Sequence, residues 1–343
     1  VLNRGQNHMK LNQYDAQTGA FVKTLFEEKN DRYVEPEHGT YFLNGNSSEF
    51  IWMSERDGFN HLYIYNTNGE LQKQLTKGDW EVTEILGLNA KNTKLYFMAT
   101  KESAIERHMY ELDMKKLNVK KLTGVHGTHR VTWDANYNYF IDVYSNYTDI
   151  AREYALYNNK GKEIRIIKEN KNPLENYNLG KTTIETIKAD DGTDLYYRMI
   201  TPPNFDSTKK YPVIVYVYGG PHAQMITDSW LGGSGFFLQY LATQGYIVFT
   251  LDNRGSAHRG NEFESIIHRQ LGQIEMKDQM KGIEFLKTHK FVDANRIGVD
   301  GWSYGGFMTT SLMVNYPEVF KVGVAGGPVI DWKYYEIMYG ERY

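Results

Sequence analysis

The sequence predicts an α/β-hydrolase domain, built on a parallel sheet, that is preceded by part of a β-propeller. Three observations lead to this prediction. A strand pattern recurs over the first 170 residues. Near Leu179-Gly180 it gives way to apolar strands that alternate with helical stretches. In this second region Gly301-Trp-Ser-Tyr-Gly305 reads G-x-S-x-G between a strand and a helix. We therefore expect propeller blades over 1–180 and the N-terminal part of a hydrolase domain over 181–343.

The repeat consists of an aromatic or aliphatic strand, a polar turn and a returning strand. The returning strands end at positions spaced by 50, 47 and 45 residues: Leu25, Leu75, Leu122 and Ile167. Additional strands precede the later hairpins, for example at 50–53, 95–98 and 139–143. About four strands in each 40–50 residues are typical of a propeller blade. An antiparallel sandwich with chance spacing is the alternative.

The second region carries the signature of a parallel sheet covered on both faces. Strands rich in β-branched residues are predicted at 211–217, 246–251 and 319–325, with another leading into G-x-S-x-G. The helical stretches between them are 229–244, 261–289 and 306–315. Such alternation predicts a sheet with helices on either side.

Ser303 is the candidate nucleophile of a tight strand-to-helix turn. Small neighbours let the backbones pass, and the turn lifts the hydroxyl above the sheet edge. The same turn directs the backbone N–H of Tyr304 to the point where an oxyanion would form. A glycine-rich turn with an incidental serine is the alternative.

The partners of this serine are missing. A serine nucleophile needs a histidine base that is oriented by a carboxylate, and in this fold both follow the serine. All ten histidines precede Ser303, and the 40 residues after it contain acids such as Asp331 but no histidine. His222 lies on a loop that is poorly placed for a base. We therefore expect the triad Asp and His to lie outside this chain, which looks like an internal fragment of a longer protein.

Composition excludes several classes of protein. The net charge is −3 and charged residues make up 24%, which suggests neither a nucleic-acid nor an anionic-membrane partner. No apolar run reaches the 18 or so residues of a membrane span. Cysteine is absent, which excludes disulfides, thiolate metal sites and a cysteine nucleophile. The proposed chemistry needs neither a metal nor an organic cofactor.

Five ordered motifs resemble the prolyl oligopeptidase family of serine peptidases, most closely its dipeptidyl peptidase IV branch and the bacterial prolyl tripeptidyl aminopeptidases within it. The likeness spans nearly the whole chain. The motifs are Tyr211-Pro, Val217-Tyr-Gly-Gly-Pro-His-Ala-Gln224, Asp252-Asn-Arg-Gly-Ser256, Gly301-Trp-Ser-Tyr-Gly-Gly306 and Trp332-Lys-Tyr-Tyr-Glu-Ile-Met-Tyr339.

The resemblance implies roles for residues around Ser303. Tyr218 corresponds to a tyrosine whose hydroxyl donates to the oxyanion together with the N–H of Tyr304. Tyr335 and Tyr339, which an i, i+4 helical spacing would place on one face, correspond to the walls of a small pocket for proline. Val329 and Trp302 correspond to residues near that pocket. Arg254 is expected to be structural, and a triad role for Asp331 is disfavoured because the family's acid comes later.

The resemblance also implies an activity, release of a short N-terminal peptide by cleavage after proline. Glu336 favours release of a tripeptide, X-X-Pro, because the tripeptidyl branch also resembles this chain in having a glutamate at that position. Such a glutamate would form a charge-assisted bond to the more distant amino group of a longer substrate. A solvated helix glutamate is the alternative. Other readings are dipeptide release (X-Pro), an acylaminoacyl peptidase or other acyl hydrolase, and a non-catalytic binding protein.

The partners implied are proline-containing oligopeptides with a free N-terminus, and a homodimer is compatible with the resemblance. By the same resemblance, the expected location is exported, either periplasmic or at the cell surface. The fragment itself is expected to be inactive, since it lacks the base.

Overall fold

The fold is described from a computed structural model that covers residues 1–36 and 38–343. The first region contains fourteen strands in that described part of the chain. A two-stranded ribbon comes first, and three four-stranded antiparallel sheets follow, each a meander in chain order. The ribbon is β1 (His8–Tyr14) and β2 (Phe21–Lys29); the sheets are β3 (Tyr41–Leu43), β4 (Asn46–Ser54), β5 (His61–Asn66) and β6 (Leu71–Gln74); β7 (Val82–Leu88), β8 (Lys94–Ala99), β9 (His108–Asp113) and β10 (Val119–Lys121); and β11 (Thr128–Trp133), β12 (Tyr139–Ser145), β13 (Arg152–Asn158) and β14 (Glu163–Asn170).

The repeat predicted from the sequence coincides with these sheets. The hairpin at the end of each unit turns at an Asx side chain whose oxygen accepts backbone N–H groups of the turn, which is the local chemistry that fixes such turns. The same position of each unit supplies this side chain: Asp15, Asn66, Asp113 and Asn158. Three successive four-stranded antiparallel sheets are consistent with propeller blades.

Burial on both faces explains the apolar strands inside this region. In β8, consecutive residues point to opposite faces. Phe97 packs with Leu62 in a core shared with the preceding sheet, and Tyr96 packs with Phe140 in a core shared with the following sheet. The strand is buried from Leu95 to Ala99 because it has a neighbouring sheet on either side.

The second region is an α/β structure on one six-stranded sheet, in the order β15-β16-β18-β17-β19-β20. The last four strands of that order are parallel, whereas β15 and β16 form an antiparallel hairpin that joins β18 at the edge. The strands are β15 (Lys181–Lys188), β16 (Asp194–Thr201), β17 (Tyr211–Tyr216), β18 (Ile247–Leu251), β19 (Val292–Trp302) and β20 (Phe320–Gly326). The predicted boundary after residue 180 falls just before β15.

Two of the three predicted helical stretches are interrupted, whereas the third is helical throughout. The stretch 229–244 holds a 3-10 turn at Trp230–Gly233 and then α1 (Phe236–Thr243); 261–289 divides into α2 (Asn261–Ser265) and α3 (Gln273–Lys287). Gly233 at the end of the 3-10 turn and Gly272 immediately before α3 have positive φ values of 79° and 84°, a conformation that glycine tolerates and that lies outside right-handed helical geometry. The remaining helices are α4 (Tyr304–Asn315), a 3-10 turn at Trp332–Tyr334, and α5 (Ile337–Arg342). Among the described residues, none of the helices has the length and apolar character needed to cross a membrane.

The two regions are in contact through aromatic rings and charged groups. The rings of Tyr33 and Tyr343 meet edge to face with centroids 5.4 Å apart, and the guanidinium of Arg342 pairs with the carboxylate of Glu35. Glu55 of the first region lies in a cavity at this contact together with Glu264 of the second region. Burial and the charges of Glu264 and Glu81 raise the pKa of Glu55 to about 8. This contact brings the segment after β2 against the end of α5.

Candidate active site

Ser303 stands at the sharp turn that the sequence predicts. It follows β19 directly and precedes α4, with φ 59° and ψ −114°. A positive φ is strained for a serine, so the surroundings must hold it there. The backbone does so in part, because Ser303 N–H donates to the carbonyl of Gly326 at 2.8 Å and its own carbonyl accepts from Phe307 N–H.

The glycines around Ser303 are required by close backbone approach. A Cβ atom on Gly301 would lie 2.4 Å from the carbonyl oxygens of Val217 and Gly305. A Cβ on Gly305 would lie 2.3 Å from Val217 O, and one on Gly306 would lie 2.5 Å from Gly326 O. Real Cβ atoms do not come so close to backbone oxygens. The glycines of this motif therefore let β17, β19 and α4 converge.

Tyr304 has a fixed position at the first turn of α4. The first N–H groups of a helix have no partner within the helix, so the backbone N–H of Tyr304 is available to an oxyanion. Its side chain is buried, and its hydroxyl donates to Glu275 Oε1 at 2.5 Å. Burial, more than this contact, raises the pKa of Tyr304 well above its usual value.

Glu275 is a residue that the sequence analysis missed. It lies on α3, is fully buried, and burial raises the pKa of its carboxyl group. The spacing of 28 residues before Ser303 carries no local signal. The buried face of α3 also carries the polar Asp278 and Gln279, so the sequence pattern does not single out Glu275.

Tyr218 follows β17 and lies across from the serine turn. Its ring centroid is 6.0 Å from that of Tyr304, and its side chain is partly buried. Burial first, and then the neighbouring hydroxyl of Tyr335, raise the pKa of Tyr218, so the phenol stays protonated and can donate a hydrogen bond. Gly220 allows this approach, since a Cβ there would lie 2.8 Å from the ring of Tyr218.

Four rings next to Ser303 form what we call the aromatic cluster: Tyr304, Trp332, Tyr335 and Tyr339. Trp332 stacks on Tyr339 with centroids 5.5 Å apart and meets Tyr304 at 5.4 Å. Tyr335 meets Trp332 and Tyr339 edge to face, at 5.7 Å and 5.2 Å. An apolar wall of this kind suits a flat, compact ring such as that of proline.

The helical argument for Tyr335 and Tyr339 was wrong, although the two rings do meet. Tyr335 has extended backbone and ends the 3-10 turn, and α5 begins only at Ile337. The i, i+4 spacing on a helix therefore does not place them together. The chain bends between them, and ring packing on Trp332 brings them into contact.

Trp302 and Val329 remain candidate neighbours of the pocket, whereas Glu336 has backbone partners that the sequence did not reveal. Trp302 is 69% exposed and its ring lies against Gly326 and Gly327. Trp332 instead supplies the indole of the aromatic cluster. Val329 is partly buried in the loop after β20. Glu336 is the N-cap of α5, where its carboxylate accepts from Met338 N–H at 2.9 Å and from Tyr339 N–H at 2.6 Å.

The structure shows no histidine next to the Ser303 hydroxyl among the described hydrogen bonds. No hydrogen bond among residues 1–36 and 38–343 joins Ser303 to a histidine nitrogen. His222 Nε2 lies 2.5 Å from Glu35 and its Nδ1 lies 3.3 Å from Glu264. Asp331 is exposed and pairs with Lys333 at 2.8 Å, and Arg254 makes a bidentate contact with the buried Asp278.

Family models match both regions of the chain. Residues 1–150 match the dipeptidyl peptidase IV N-terminal region, and residues 234–343 match the prolyl oligopeptidase family. Among curated proteins, "Probable dipeptidyl peptidase 4" of Aspergillus flavus is 34% identical over 304 residues, which cover 86% of this chain and 39% of that protein. Dipeptidyl peptidase 4 of Arthroderma otae is 33% identical over 89% of this chain and 40% of its own length.

Solved structures agree with these matches. A Bacteroides ovatus structure described as a "putative dipeptidyl aminopeptidase IV" superposes with a TM-score of 0.95 at 47% identity, and covers all of this chain and 51% of its own. Dipeptidyl peptidase 4 of Porphyromonas gingivalis superposes with a TM-score of 0.90 at 32% identity, over 99% of this chain and 48% of its own. The chain thus spans about 40% of the length of these curated relatives and about half of these solved chains.

Proposed function

We propose, from the premise that this chain belongs to the prolyl oligopeptidase family of serine peptidases, that the protein releases an N-terminal dipeptide by cleavage after proline. The observation that carries this proposal is the strained Ser303 turn, held next to a cluster of aromatic rings. The names of the relatives support the dipeptide in particular.

The proposed mechanism uses residues of this chain for attack and for stabilisation of charge. Ser303 Oγ attacks the prolyl carbonyl carbon as its proton passes to the histidine base, and the Tyr218 hydroxyl and the Tyr304 N–H donate to the resulting oxyanion. Collapse of this intermediate breaks the bond to the leaving amine, which takes up that proton, and water then releases the peptide from Ser303. Tyr335, Tyr339 and Trp332 hold the proline, with Val329 and Trp302 as further candidate neighbours. The acid and the histidine base would come from residues outside this chain.

Tripeptide release, the preference drawn from Glu336, is not confirmed and becomes the second candidate. The carboxylate that should reach a substrate amine already accepts two backbone N–H groups at the start of α5. To bind an ammonium group as well, it must use its remaining lone pairs. Glu336 therefore supports the tripeptide reading less than its position in the sequence suggests.

The test compares chromogenic X-Pro and X-X-Pro substrates on the full-length protein that contains this chain. The proposal expects faster release from X-Pro, and loss of release when the substrate's amino group is acetylated. Faster release from X-X-Pro that falls in Glu336→Gln would establish the tripeptide alternative. Cleavage that ignores the acetyl group would point to an acylaminoacyl peptidase or another acyl hydrolase.

Two further parts of the proposal concern the protein in its cell. We propose an exported protein, periplasmic or at the cell surface, on the basis of the family resemblance; fractionation of the source cells tests this. Substrates would be proline-containing oligopeptides with a free N-terminus, and a homodimer stays a prediction.

A further inference from the structure

A cavity of about 470 Å³ lies where the first region meets the α/β region. Three carboxylates line it: Glu55 after β4, Glu81 just before β7, and Glu264 on α2. One oxygen from each lies within 4.8 Å of the other two. Glu81 and Glu264 are about 95% buried. Three acids from three distant parts of the chain therefore converge on one point in a poorly solvated place.

Lys29 and Arg56 also line the cavity, but they pair with Glu27 and Glu28 rather than with the three carboxylates. Elsewhere in the protein the buried Asp278 is paired with Arg254. Among residues 1–36 and 38–343, no lysine or arginine forms an ion pair with Glu55, Glu81 or Glu264. Buried carboxylates without a compensating cation are costly.

The contacts that these carboxylates do make leave coordination sites open. Glu81 Oε1 accepts from Gly260 N–H at 2.8 Å, and Glu264 Oε1 accepts from His258 N–H at 2.7 Å. Glu55 Oε2 accepts from Asn261 Nδ2 at 3.2 Å. The imidazoles of His258 and His222 lie beside Glu81 and Glu264, at 3.2 Å and 3.3 Å. Each ionised carboxylate has about four lone-pair positions, so oxygens remain for a ligand.

A second observation also points to a ligand, namely the hydroxyl of Tyr33. The side chain is 98% buried and lines the same cavity. Its oxygen has no hydrogen-bond partner in the described part of the chain. Tyr33, Glu55 and Glu264 line the same cavity, and burial, followed by the charges of these two carboxylates, raises the pKa of Tyr33. A buried phenol oxygen left without a partner is rare unless something outside the protein chain satisfies it.

We propose that Glu55, Glu81, Glu264 and the Tyr33 hydroxyl bind a calcium ion that links the first region to the α/β region. The ligand set is all oxygen, as hard divalent cations require. An ion at the centre of three oxygens within 4.8 Å of one another lies at most about 2.8 Å from each. This bound accommodates the roughly 2.3–2.6 Å of Ca²⁺. Calcium is favoured over magnesium because it accepts an irregular set of oxygen ligands, whereas Mg²⁺ demands near-ideal octahedral geometry. The proposal is independent of the peptidase activity.

The ion would act as a cross-link between regions distant in sequence. Glu55 lies between β4 and β5, and Glu81 lies between β6 and β7. Glu264, in contrast, lies on α2, after β18. Binding to the folded protein alone raises its stability in proportion to the logarithm of the free ion concentration. Calcium should therefore raise the unfolding temperature and chelation should lower it.

The test is calorimetric titration of CaCl₂ into the full-length protein after treatment with EDTA and removal of the chelator. We expect one site, at least tenfold weaker binding in Glu55→Gln, and unchanged binding in Glu262→Gln. Glu262 is the matched control because it lies on the same helix as Glu264 with its side chain 88% exposed. MgCl₂ should bind at least tenfold more weakly than CaCl₂.

A second variant covers the case in which Glu55→Gln does not fold. Tyr33→Phe keeps the ring that packs on Ile267 and Tyr343 and removes only the hydroxyl. It should weaken calcium binding severalfold and reduce the rise in unfolding temperature that 10 mM CaCl₂ gives the unmodified protein. Absence of binding up to about 10 mM, equal binding of magnesium, or calcium affinity unchanged in both variants would overturn the proposal.

Discussion

Backbone atoms surround the turn at Ser303, whereas the aromatic cluster beside it is held by ring contacts and one helix cap. At the turn, Gly305 and Gly301 have backbone oxygens where any other residue would carry a Cβ. In the cluster, Tyr335 is about half exposed and touches two other rings. The geometry of the nucleophile therefore depends on backbone packing, whereas the preference for a substrate depends on contacts between side-chain rings. Changes at the turn should abolish activity, and changes in the cluster should alter preference.

The largest effect is expected from Gly305→Ala. The added Cβ would lie 2.3 Å from Val217 O, and β17 cannot move away because it is hydrogen-bonded to β19 inside the sheet. We expect a loss of more than about 3 kcal/mol in the free energy of unfolding, together with loss of peptidase activity. Urea unfolding and X-Pro hydrolysis measure the two effects. Gly124→Ala is the control, because a Cβ there meets nothing within 4 Å; equal stability of the two variants would refute the steric account.

Tyr218→Phe should remove one oxyanion donor and leave the fold intact. Loss of such a donor typically lowers kcat by about 10²–10³-fold with little change in KM. Steady-state kinetics with an X-Pro substrate measure this split. Tyr240→Phe serves as the control, since Tyr240 is an exposed tyrosine on α1. A KM effect without a kcat effect would assign Tyr218 to substrate binding instead.

Tyr335→Ala should change substrate preference more than it changes the reaction. The ring makes two edge-to-face contacts, each worth about 0.5–1.5 kcal/mol, and would be one wall of the proline pocket. We expect kcat/KM for X-Pro to fall about 10–100-fold, with a smaller fall for X-Ala. Tyr334→Ala, at a neighbouring and largely exposed ring, is the comparison. If both substrates lose activity equally, the ring does not select proline.

The smallest effect is expected from Glu275→Gln. The amide keeps the size of the side chain but exchanges a charge-assisted hydrogen bond to Tyr304 for a neutral one. A loss of about 1 kcal/mol in transition-state stabilisation corresponds to a fall in kcat of roughly fivefold. Tyr304→Phe should give a similar fall, and the double variant no more than either. Additive losses would show that Glu275 acts otherwise, and Glu284→Gln on the exposed side of α3 controls for charge.

Much of the fold could be predicted because each feature had a local chemical cause. The Asx turns recur at one position of every repeat unit, and β8 is apolar throughout because it has sheets on both sides. The Ser303 turn was predictable because close backbone contacts allow only glycine at positions 301, 305 and 306, and these glycines are visible in the sequence. The helix breaks at Gly233 and Gly272 were missed, since a glycine in a polar stretch does not reveal its φ.

The rest of the site depends on contacts between distant residues. Glu275 meets Tyr304, Trp332 replaces Trp302 among the rings, and Glu336 caps a helix that starts later than its spacing suggested. Contacts of this kind produce no periodic pattern of residues that a single sequence could reveal. The carboxylates of Glu55, Glu81 and Glu264 were invisible for the same reason, since more than 180 residues separate the last from the others.

Covalent labelling tests the central claim, that Ser303 is an activated nucleophile, most directly. The full-length protein is treated with a fluorophosphonate, digested, and the modified peptide identified by mass spectrometry. We expect a single adduct on Ser303 that is lost in Ser303→Ala and retained in Ser311→Ala, where Ser311 lies on α4. An adduct on another serine, or no adduct on a folded full-length protein, would contradict it.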